Sequence, residues 1–148
     1  MLMKILIKLW TIWCFIITPF LFCIYSILMI FLFLLPCGIG KSFFLKITPY
    51  FSSFLLLVMG VKINLTGFNP FSNKEPVIYI ANHKSYLDIF IIAAILPGKL
   101  KYLGKAEVFN WPFFGWLAKI SGQIPVKRES KESRADSYVL MKEALKSG

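Results

Sequence analysis

The chain has 148 residues, enough for one domain of ordinary size. Hydrophobic residues make up 57% of it and aromatic residues 17%, and this apolar share exceeds the roughly 45 to 50% of typical soluble domains. Seventeen Lys and Arg against seven Asp and Glu give a formal charge of +10, which suits a phosphorylated or anionic-lipid partner. Because the basic residues are spread among apolar runs and form no polar basic face, the pattern excludes nucleic acid and favours a membrane surface.

Two apolar runs open the chain. From Leu9 to Leu35 there is no charged residue, and at about 1.5 Å per residue a helix of this length exceeds the roughly 30 Å of a hydrocarbon core. The second run, Ile47 to Val61, is flanked by lysines and is shorter than the roughly 20 residues needed to span, so it is predicted to be re-entrant or interfacial. We therefore predict a two-helix membrane-embedded element over residues 1–61, with helices at about 5–35 and 43–60.

The three cysteines fall within or beside the first apolar run, and none lies near a histidine. Cys14, Cys23 and Cys37 are therefore predicted to be apolar fillers with no disulfide or metal role. Lysines stand at both ends of the same run, so the excess of positive charge does not select an orientation across the membrane.

After Lys62 the pattern changes to that of an α/β domain, which we place at residues 62–148. One predicted helix runs from about Ser85 to Leu96, and a last amphipathic helix runs from Lys131 to Lys146. Runs rich in β-branched and apolar residues predict strands at Val61–Thr66, Val77–Ala81, Leu100–Gly104 and Gln123–Val126. The last helix is predicted to be amphipathic, with Tyr138, Met141 and Leu145 on one face.

The single histidine, His83, follows the predicted buried strand Val77–Ala81. It therefore lies at the carboxyl end of a strand, where open α/β sheets usually bind ligands, and histidine readily exchanges protons near neutral pH. Asp88 is five residues later, a separation of roughly 140° on one continuous helix. The two side chains can meet if His83 lies in the loop and Asp88 in the first helical turn. Ser85 fits as the helix N-cap of a near capping box, and by that simpler hypothesis Asp88 only neutralises the free helix amides.

Three blocks of sequence resemble one known family. Asn82-His83-Lys84-Ser85-Tyr86-Leu87-Asp88 resembles the NHxxxxD block of the glycerolipid acyltransferases, the family of 1-acyl-sn-glycerol-3-phosphate (lysophosphatidic acid) acyltransferases. The segment from Gly104 to Gly115 resembles the family's Lys-x-Glu segment with its following Pro and Gly. The segment from Gly122 to Arg128 resembles its second block, which ends in an arginine. The resemblance covers residues 61 to 148 and implies the first part of the family's αβ domain.

The resemblance implies a reaction and a role for each matching residue. His83 would be the general base for the hydroxyl of 1-acyl-sn-glycerol-3-phosphate, which attacks the thioester of acyl-CoA or acyl carrier protein and gives phosphatidic acid. Asp88 would orient the ring and stabilise the imidazolium. Arg128 would clamp the acceptor phosphate, Lys105 would add a point charge, and Asn82 belongs to the same substrate-binding set. No metal, cofactor or acyl-enzyme is implied, because the thioester is a co-substrate.

The resemblance also implies a location for the protein, and the sequence departs from the family pattern at two points. It places the catalytic part on the cytoplasmic face of the membrane. Lys127 stands where many members have Asp, which leaves the acceptor headgroup open. The family's third block, Phe-Pro-Glu-Gly-Thr-Arg, is absent, so we expect the chain to be an N-terminal fragment. The alternatives are a non-catalytic truncated membrane protein and an acyltransferase for another lysolipid, such as an ornithine-type or lipid A-type acceptor.

The aromatic residues between the third and fourth predicted strands keep three interpretations open. An acyl-chain groove, a membrane interface and ordinary packing are all compatible with their spacing. They are Trp111, Phe113, Phe114 and Trp116.

Overall fold

The computed structural model describes residues 2–36, 38–67, 76–96, 100–127 and 130–146. Two long helices come first, α1 (Leu2–Phe33) and α2 (Ile39–Val58). The remaining elements are shorter and follow in the order α3 (Leu87–Ile95), β1 (Leu103–Lys105), a 3-10 helix (Ala106–Asn110), α4 (Phe114–Ile120), β2 (Ile124–Val126) and α5 (Lys131–Lys146).

Helices α1 and α2 form an antiparallel hairpin. The ring of Phe33 packs against Phe44 at 6.0 Å near the connecting turn, and Tyr25 stacks on Phe51 at 4.1 Å further along. The Tyr25 hydroxyl and the Thr48 hydroxyl share a hydrogen bond of 2.6 Å. This pairing order makes the helices run in opposite directions, so the hairpin brings distant parts of the apolar sequence into one core.

Small side chains allow the close approach of the two helices. A side chain at Gly40 would overlap the backbone of Phe33 and Leu32. Ser26 and Ser52 are fully buried, as is common where apolar helices pack at short range. Glycine is therefore required where α2 begins.

The exposure of α1 divides it into two halves. Its residues from Leu2 to Ile16 are exposed, apart from the half-buried Cys14, whereas Tyr25, Ser26 and Met29 are buried. In the described part of the chain α1 is the one helix long and apolar enough to cross a membrane. The second half of α1 packs against the rest of the protein, and the first half presents an apolar surface to the surroundings.

The core lies where the hairpin meets the following helices. Tyr25, Met29 and Leu117 form a buried cluster, to which α1, α2 and α4 contribute. Helix α3 packs against α2, and Phe90 of α3 meets Phe22 of α1 edge to face at 6.0 Å. The hairpin is therefore the surface on which the rest of the protein is built.

Strands β1 and β2 pair in parallel, with Leu103 opposite Ile124 and Lys105 opposite Val126. The 3-10 helix and α4 form the connection between them, as a parallel pair requires. The backbone N–H of Tyr102 donates to Oε1 of Gln123 at 2.6 Å, and this bond extends the pairing beyond the strands. The structure is thus mostly helical with a small parallel sheet, which agrees with an α/β assignment at that coarse level.

Two predicted strands are wrong. Residues 61–66 and 77–81 have no strand structure, and the second segment is exposed, with Ile80 93% accessible. A strand forms by hydrogen bonding to a neighbouring strand, and the sheet in the described residues consists of β1 and β2 alone. The β-branched composition of 77–81 therefore has no partner to pair with and no layer to bury it.

The last helix has the predicted bounds, and the face predicted to carry its apolar residues is covered only in part. Tyr138 is exposed, whereas Ser137 is buried and Met141 and Leu145 are half-buried. The Ser137 hydroxyl donates to the carbonyl of Ser133 and accepts from the N–H of Lys127. A buried serine satisfied in this way was not anticipated by a pattern based on apolar residues.

Candidate active site

The loop before α3 and the first turn of that helix bring His83 and Asp88 together. Nδ1 of His83 lies 3.0 Å from Oδ2 of Asp88. Helix α3 begins at Leu87, so His83 precedes the helix and Asp88 occupies its first turn. This is the arrangement that a five-residue separation requires if the two side chains are to meet.

One carboxylate oxygen organises the loop. Oδ2 of Asp88 accepts hydrogen bonds from the backbone N–H of Lys84 at 2.9 Å and of Ser85 at 3.0 Å, in addition to its contact with His83. The hydroxyl of Ser85 accepts from the N–H of Leu87 at 3.2 Å. Asp88 therefore binds two backbone amides just before the helix and also contacts the imidazole, so a structural role and an orienting role are compatible in this residue.

The capping prediction needs one correction. The helix N-cap position is Tyr86, whose side chain makes no capping hydrogen bond, and Ser85 lies one residue earlier. Ser85 still takes part, because its hydroxyl binds the N–H two residues later and its own N–H binds Asp88. The loop closes more tightly than a standard capping box, since Oδ2 also accepts from Lys84.

The donors around Asp88 change its acidity. The N–H of Ser85 contributes most to lowering the pKa of the Asp88 carboxyl below its usual value, and the N–H of Lys84 and the His83 side chain add to it. The carboxylate is consequently charged at neutral pH. It is 24% exposed, whereas the His83 side chain is 60% exposed.

This geometry fixes what the imidazole can do. A ring with its proton on Nδ1 donates to Asp88, and Nε2 is then the unprotonated nitrogen. A negative carboxylate at 3.0 Å stabilises the imidazolium that forms when Nε2 takes a proton. The pair can therefore act as a general base toward a hydroxyl group that reaches the exposed ring.

The segment that precedes His83 differs from the prediction. His83 was expected at the carboxyl end of a buried strand, but residues 76–84 have no strand or helix structure and are exposed. The position of the ring is therefore set by the bonds to Asp88 rather than by a sheet. Asn82 lies in the same exposed loop, directly before His83.

The structure describes the predicted phosphate-binding residues only in part. Lys105 ends β1, and its ammonium group pairs with the Glu107 carboxylate at 2.9 Å. Both side chains are exposed. Arg128 lies outside the described residues. No group of three or more His, Cys, Asp or Glu side chains that could hold a metal occurs within the ranges the structure describes.

One neighbour of the site has no signal in the sequence. Tyr86, between His83 and Asp88, places its ring 6.4 Å from that of Trp111. The two residues are far apart along the chain, and the folding of the intervening segments brings them together. Aromatic character alone marked Trp111 as a candidate for a groove or interface.

The comparisons with known proteins agree on one family. A family model described as Acyltransferase matches residues 62–148. A lyso-ornithine lipid O-acyltransferase of Pseudomonas aeruginosa is 34% identical over 89 residues, which cover 60% of this chain and 33% of that protein.

Two eukaryotic relatives carry a different acceptor in their names. A chloroplastic 1-acyl-sn-glycerol-3-phosphate acyltransferase of Arabidopsis thaliana is 31% identical over 121 residues, 74% of this chain and 34% of that protein. A 1-acyl-sn-glycerol-3-phosphate acyltransferase of Saccharomyces cerevisiae is 32% identical over 81 residues, 55% of this chain and 26% of that protein. The chain thus spans between 26% and 34% of the length of these relatives. No solved structure matches it.

Proposed function

The chain belongs to the acyltransferase family, and from that premise we propose that it transfers a fatty acyl group from a thioester to the free hydroxyl of 1-acyl-sn-glycerol-3-phosphate. The product is phosphatidic acid, and the donor is acyl-CoA or acyl carrier protein. The single observation that carries the proposal is the 3.0 Å contact between His83 Nδ1 and Asp88 Oδ2 on an exposed ring. The names of the Arabidopsis and yeast relatives support this acceptor.

The proposed step needs no covalent enzyme intermediate. Nε2 of His83 takes the hydroxyl proton while the hydroxyl oxygen attacks the thioester carbon. The carbon–sulfur bond breaks, an ester forms, and the thiolate leaves and receives the proton from the imidazolium. Asp88 holds the ring in the required tautomer and offsets its positive charge. The thioester is a co-substrate, so the proposed chemistry uses neither a metal nor a bound cofactor.

Acceptor binding is assigned to basic and polar residues that match the family's blocks. Arg128 would bind the phosphate through two parallel hydrogen bonds, and Asn82 would contact the acceptor beside His83. Lys105 would supply a point charge. To do so, its ammonium group must leave the Glu107 carboxylate and bind the substrate phosphate instead. These roles extend the proposal from proton transfer to recognition.

The hairpin is proposed to be the membrane anchor. Helix α1 is long and apolar enough to cross a bilayer, and α2 packs along it while carrying Lys41 and Lys46. Residues 1–61 would hold the catalytic part, residues 62–148, at the cytoplasmic face, where the thioester donors are found.

A second acceptor is supported by its own observation. Relatives named lyso-ornithine lipid O-acyltransferase match this chain at 34% identity in Pseudomonas aeruginosa and 33% in Rhodobacter capsulatus. Lys127, directly before the predicted phosphate ligand Arg128, is the departure from the family pattern that bears on this choice.

The test is an acyl-transfer assay on membranes that contain the full-length protein. We expect His83→Ala to lower kcat on the order of 10² to 10⁴-fold, the usual contribution of a general base. Lys142→Ala is the matched control, because it removes an exposed side chain on α5, outside the loop and the proposed substrate-binding residues. Retained activity in His83→Ala would remove this residue from the mechanism. Assays with lysophosphatidic acid and lyso-ornithine lipid, each with both thioester donors, decide between the acceptors.

A further inference from the structure

A strained turn lies between the 3-10 helix and α4. Phe113 has φ 59° and ψ −58°, and it is the one non-glycine residue with positive φ in the described chain. The N–H of Phe114 donates to the carbonyl of Pro112 at 2.6 Å, which closes a three-residue γ-turn of the rare kind. A large aromatic residue rarely adopts this conformation.

The surrounding packing holds the turn in place. A side chain at Gly115 would overlap the backbone carbonyl of Phe109, so the chain passes directly against the 3-10 helix at this point. The N–H of Gly115 donates to Trp111 at 2.9 Å, and the N–H of Leu117 donates to Phe113 at 3.0 Å. The unfavourable backbone of Phe113 is therefore imposed by contacts on both sides of it.

The turn presents aromatic rings at the surface. The rings of Phe113 and Trp116 meet nearly edge to face at 5.7 Å, and Trp111 contacts Tyr86 at 6.4 Å. Trp111 is 48% exposed, Trp116 55% and Tyr86 72%. We call Tyr86, Trp111, Phe113 and Trp116 the aromatic ridge. It reaches the candidate active site, because Tyr86 lies between His83 and Asp88 in the loop.

The aromatic ridge is linked to α1 through the ring of Phe114. The ring of Trp111 lies 6.4 Å from Phe114, and Phe114 lies 5.5 Å from Phe22 of α1. The row of rings therefore runs from the active-site loop to the helix whose first half exposes apolar side chains. Lys84 is close to Tyr86 in the sequence and Lys119 is close to Trp116, and both lysines are exposed. Basic side chains attract anionic headgroups.

We propose that the aromatic ridge is a second membrane contact, separate from the hairpin, and that its partner is the headgroup layer of a bilayer containing anionic phospholipid. Tryptophan and tyrosine favour this layer because each has an apolar ring and a polar N–H or O–H group. The contact holds His83 at the depth where the hydroxyl of a lysolipid lies. This last consequence rests on the acyl-transfer function proposed above, whereas the contact itself does not.

The first test measures the depth of the ridge tryptophans without any turnover. Trp10→Phe and Trp13→Phe together leave Trp111 and Trp116 as the fluorophores. The protein is reconstituted in mixed vesicles of phosphatidylcholine and phosphatidylglycerol, with brominated phosphatidylcholine as the quencher. We expect strong quenching by bromine near the headgroup, weaker quenching by bromine near the chain end, and little quenching by aqueous iodide.

Other outcomes overturn the proposal. Quenching by iodide with no quenching by brominated lipid would place the ridge in water. Shielding from both quenchers, together with a dimer in light scattering, would assign the ridge to a second copy of the chain. If the protein shows the expected quenching pattern but catalyses no acyl transfer, the proposed function is contradicted and the membrane contact is still supported.

The second test uses Phe113→Gly, since glycine accepts positive φ without strain and the turn should persist. Tyr138→Ala is the matched control, an exposed aromatic residue on α5 outside the ridge. We expect Phe113→Gly to keep its circular dichroism and Tm, to reduce quenching by headgroup-brominated lipid, and to raise KM for vesicle-borne lysolipid with kcat unchanged. If Phe113→Gly is folded and is quenched as strongly as Tyr138→Ala, Phe113 does not take part in the membrane contact.

Discussion

The helical hairpin and the His83 loop are held together by different physical means. In the hairpin, α1 and α2 approach so closely that Gly40 has no room for a side chain, and Ser26 and Ser52 are buried between them. In the loop, one exposed region is fixed by hydrogen bonds to Oδ2 of Asp88. The hairpin thus depends on small side chains that let the helices pack closely, and the loop depends on one hydrogen-bond acceptor, Oδ2 of Asp88. Mutations should therefore affect the stability of the first region and the chemistry of the second.

The largest effect is expected from Asp88→Asn. Oδ2 alone contacts the N–H of Lys84, the N–H of Ser85 and Nδ1 of His83, so the asparagine carbonyl oxygen should take its place and keep these contacts. The neutral amide then lacks the negative charge that stabilises the imidazolium formed when Nε2 takes a proton. By analogy with carboxylate-to-amide changes in catalytic triads, kcat should fall on the order of 10⁴-fold. Steady-state acyl-transfer kinetics measure this.

The comparison requires that the same variant stay folded. We expect the denaturant midpoint of Asp88→Asn to remain close to that of the wild type. A large drop in midpoint, in step with the loss of rate, would show that the carboxylate serves the fold first and would weaken the distinction between the two regions.

The next largest effect is expected from Gly40→Ala. In an ordinary helix this change stabilises by about 0.5 to 1 kcal/mol. Here the added methyl group would overlap the backbone of Phe33 and Leu32, so overpacking should lower the free energy of unfolding by about 1 to 3 kcal/mol. Chemical denaturation in detergent micelles measures it. A more stable variant would mean that the helices can separate without cost, and an altered KM in the folded fraction would link the hairpin to the chemistry.

A smaller effect separates capping from catalysis. Asp88→Ala removes the acceptor for Lys84 and Ser85 as well as for His83, and loss of such helix-start hydrogen bonds typically costs about 1 kcal/mol. Asp88→Asn should keep most of this stability, so the two variants should differ in Tm while both are inactive. Equal Tm values would show that the backbone amides find water as an adequate substitute.

The smallest effect is a dependence of stability on acid. The pKa of Asp88 is lowered in the folded protein, so its contribution is present above the unfolded pKa of about 3.9 and is lost as pH falls through the lower folded value. Thermal unfolding between about pH 6 and about pH 3 should therefore show a steeper loss in the wild type than in Asp88→Asn. Parallel curves would mean that the hydrogen bonds to Asp88 do not persist in solution.

The sequence was a good guide where structure is local. The contact between His83 and Asp88 follows from helix geometry over six residues, and the bounds of α5 follow from one amphipathic pattern. The catalytic role of that contact stays a prediction. Both apolar helices also occur close to the predicted positions, because a long, mostly apolar run is a strong local signal for a helix.

The sequence was a poor guide where structure depends on distant partners. Residues 77–81 have strand composition but lack a paired strand, since pairing is decided elsewhere in the chain. The contact between Tyr86 and Trp111 depends on packing between segments distant in sequence, and the positive φ of Phe113 is held by the close approach of Gly115 to the 3-10 helix. Such features come from close contacts between elements, which periodicity does not record.

The division of α1 into a bare half and a packed half has a consequence for how the protein is made. Helix α1 precedes α3 and α4 in the chain, so it leaves the ribosome before the segments that cover its second half exist. An apolar helix without packing partners is a target for the machinery that delivers nascent chains to membranes. We expect the later helices to assemble on a partner already delivered to its bilayer, so that synthesis and insertion form one continuous process.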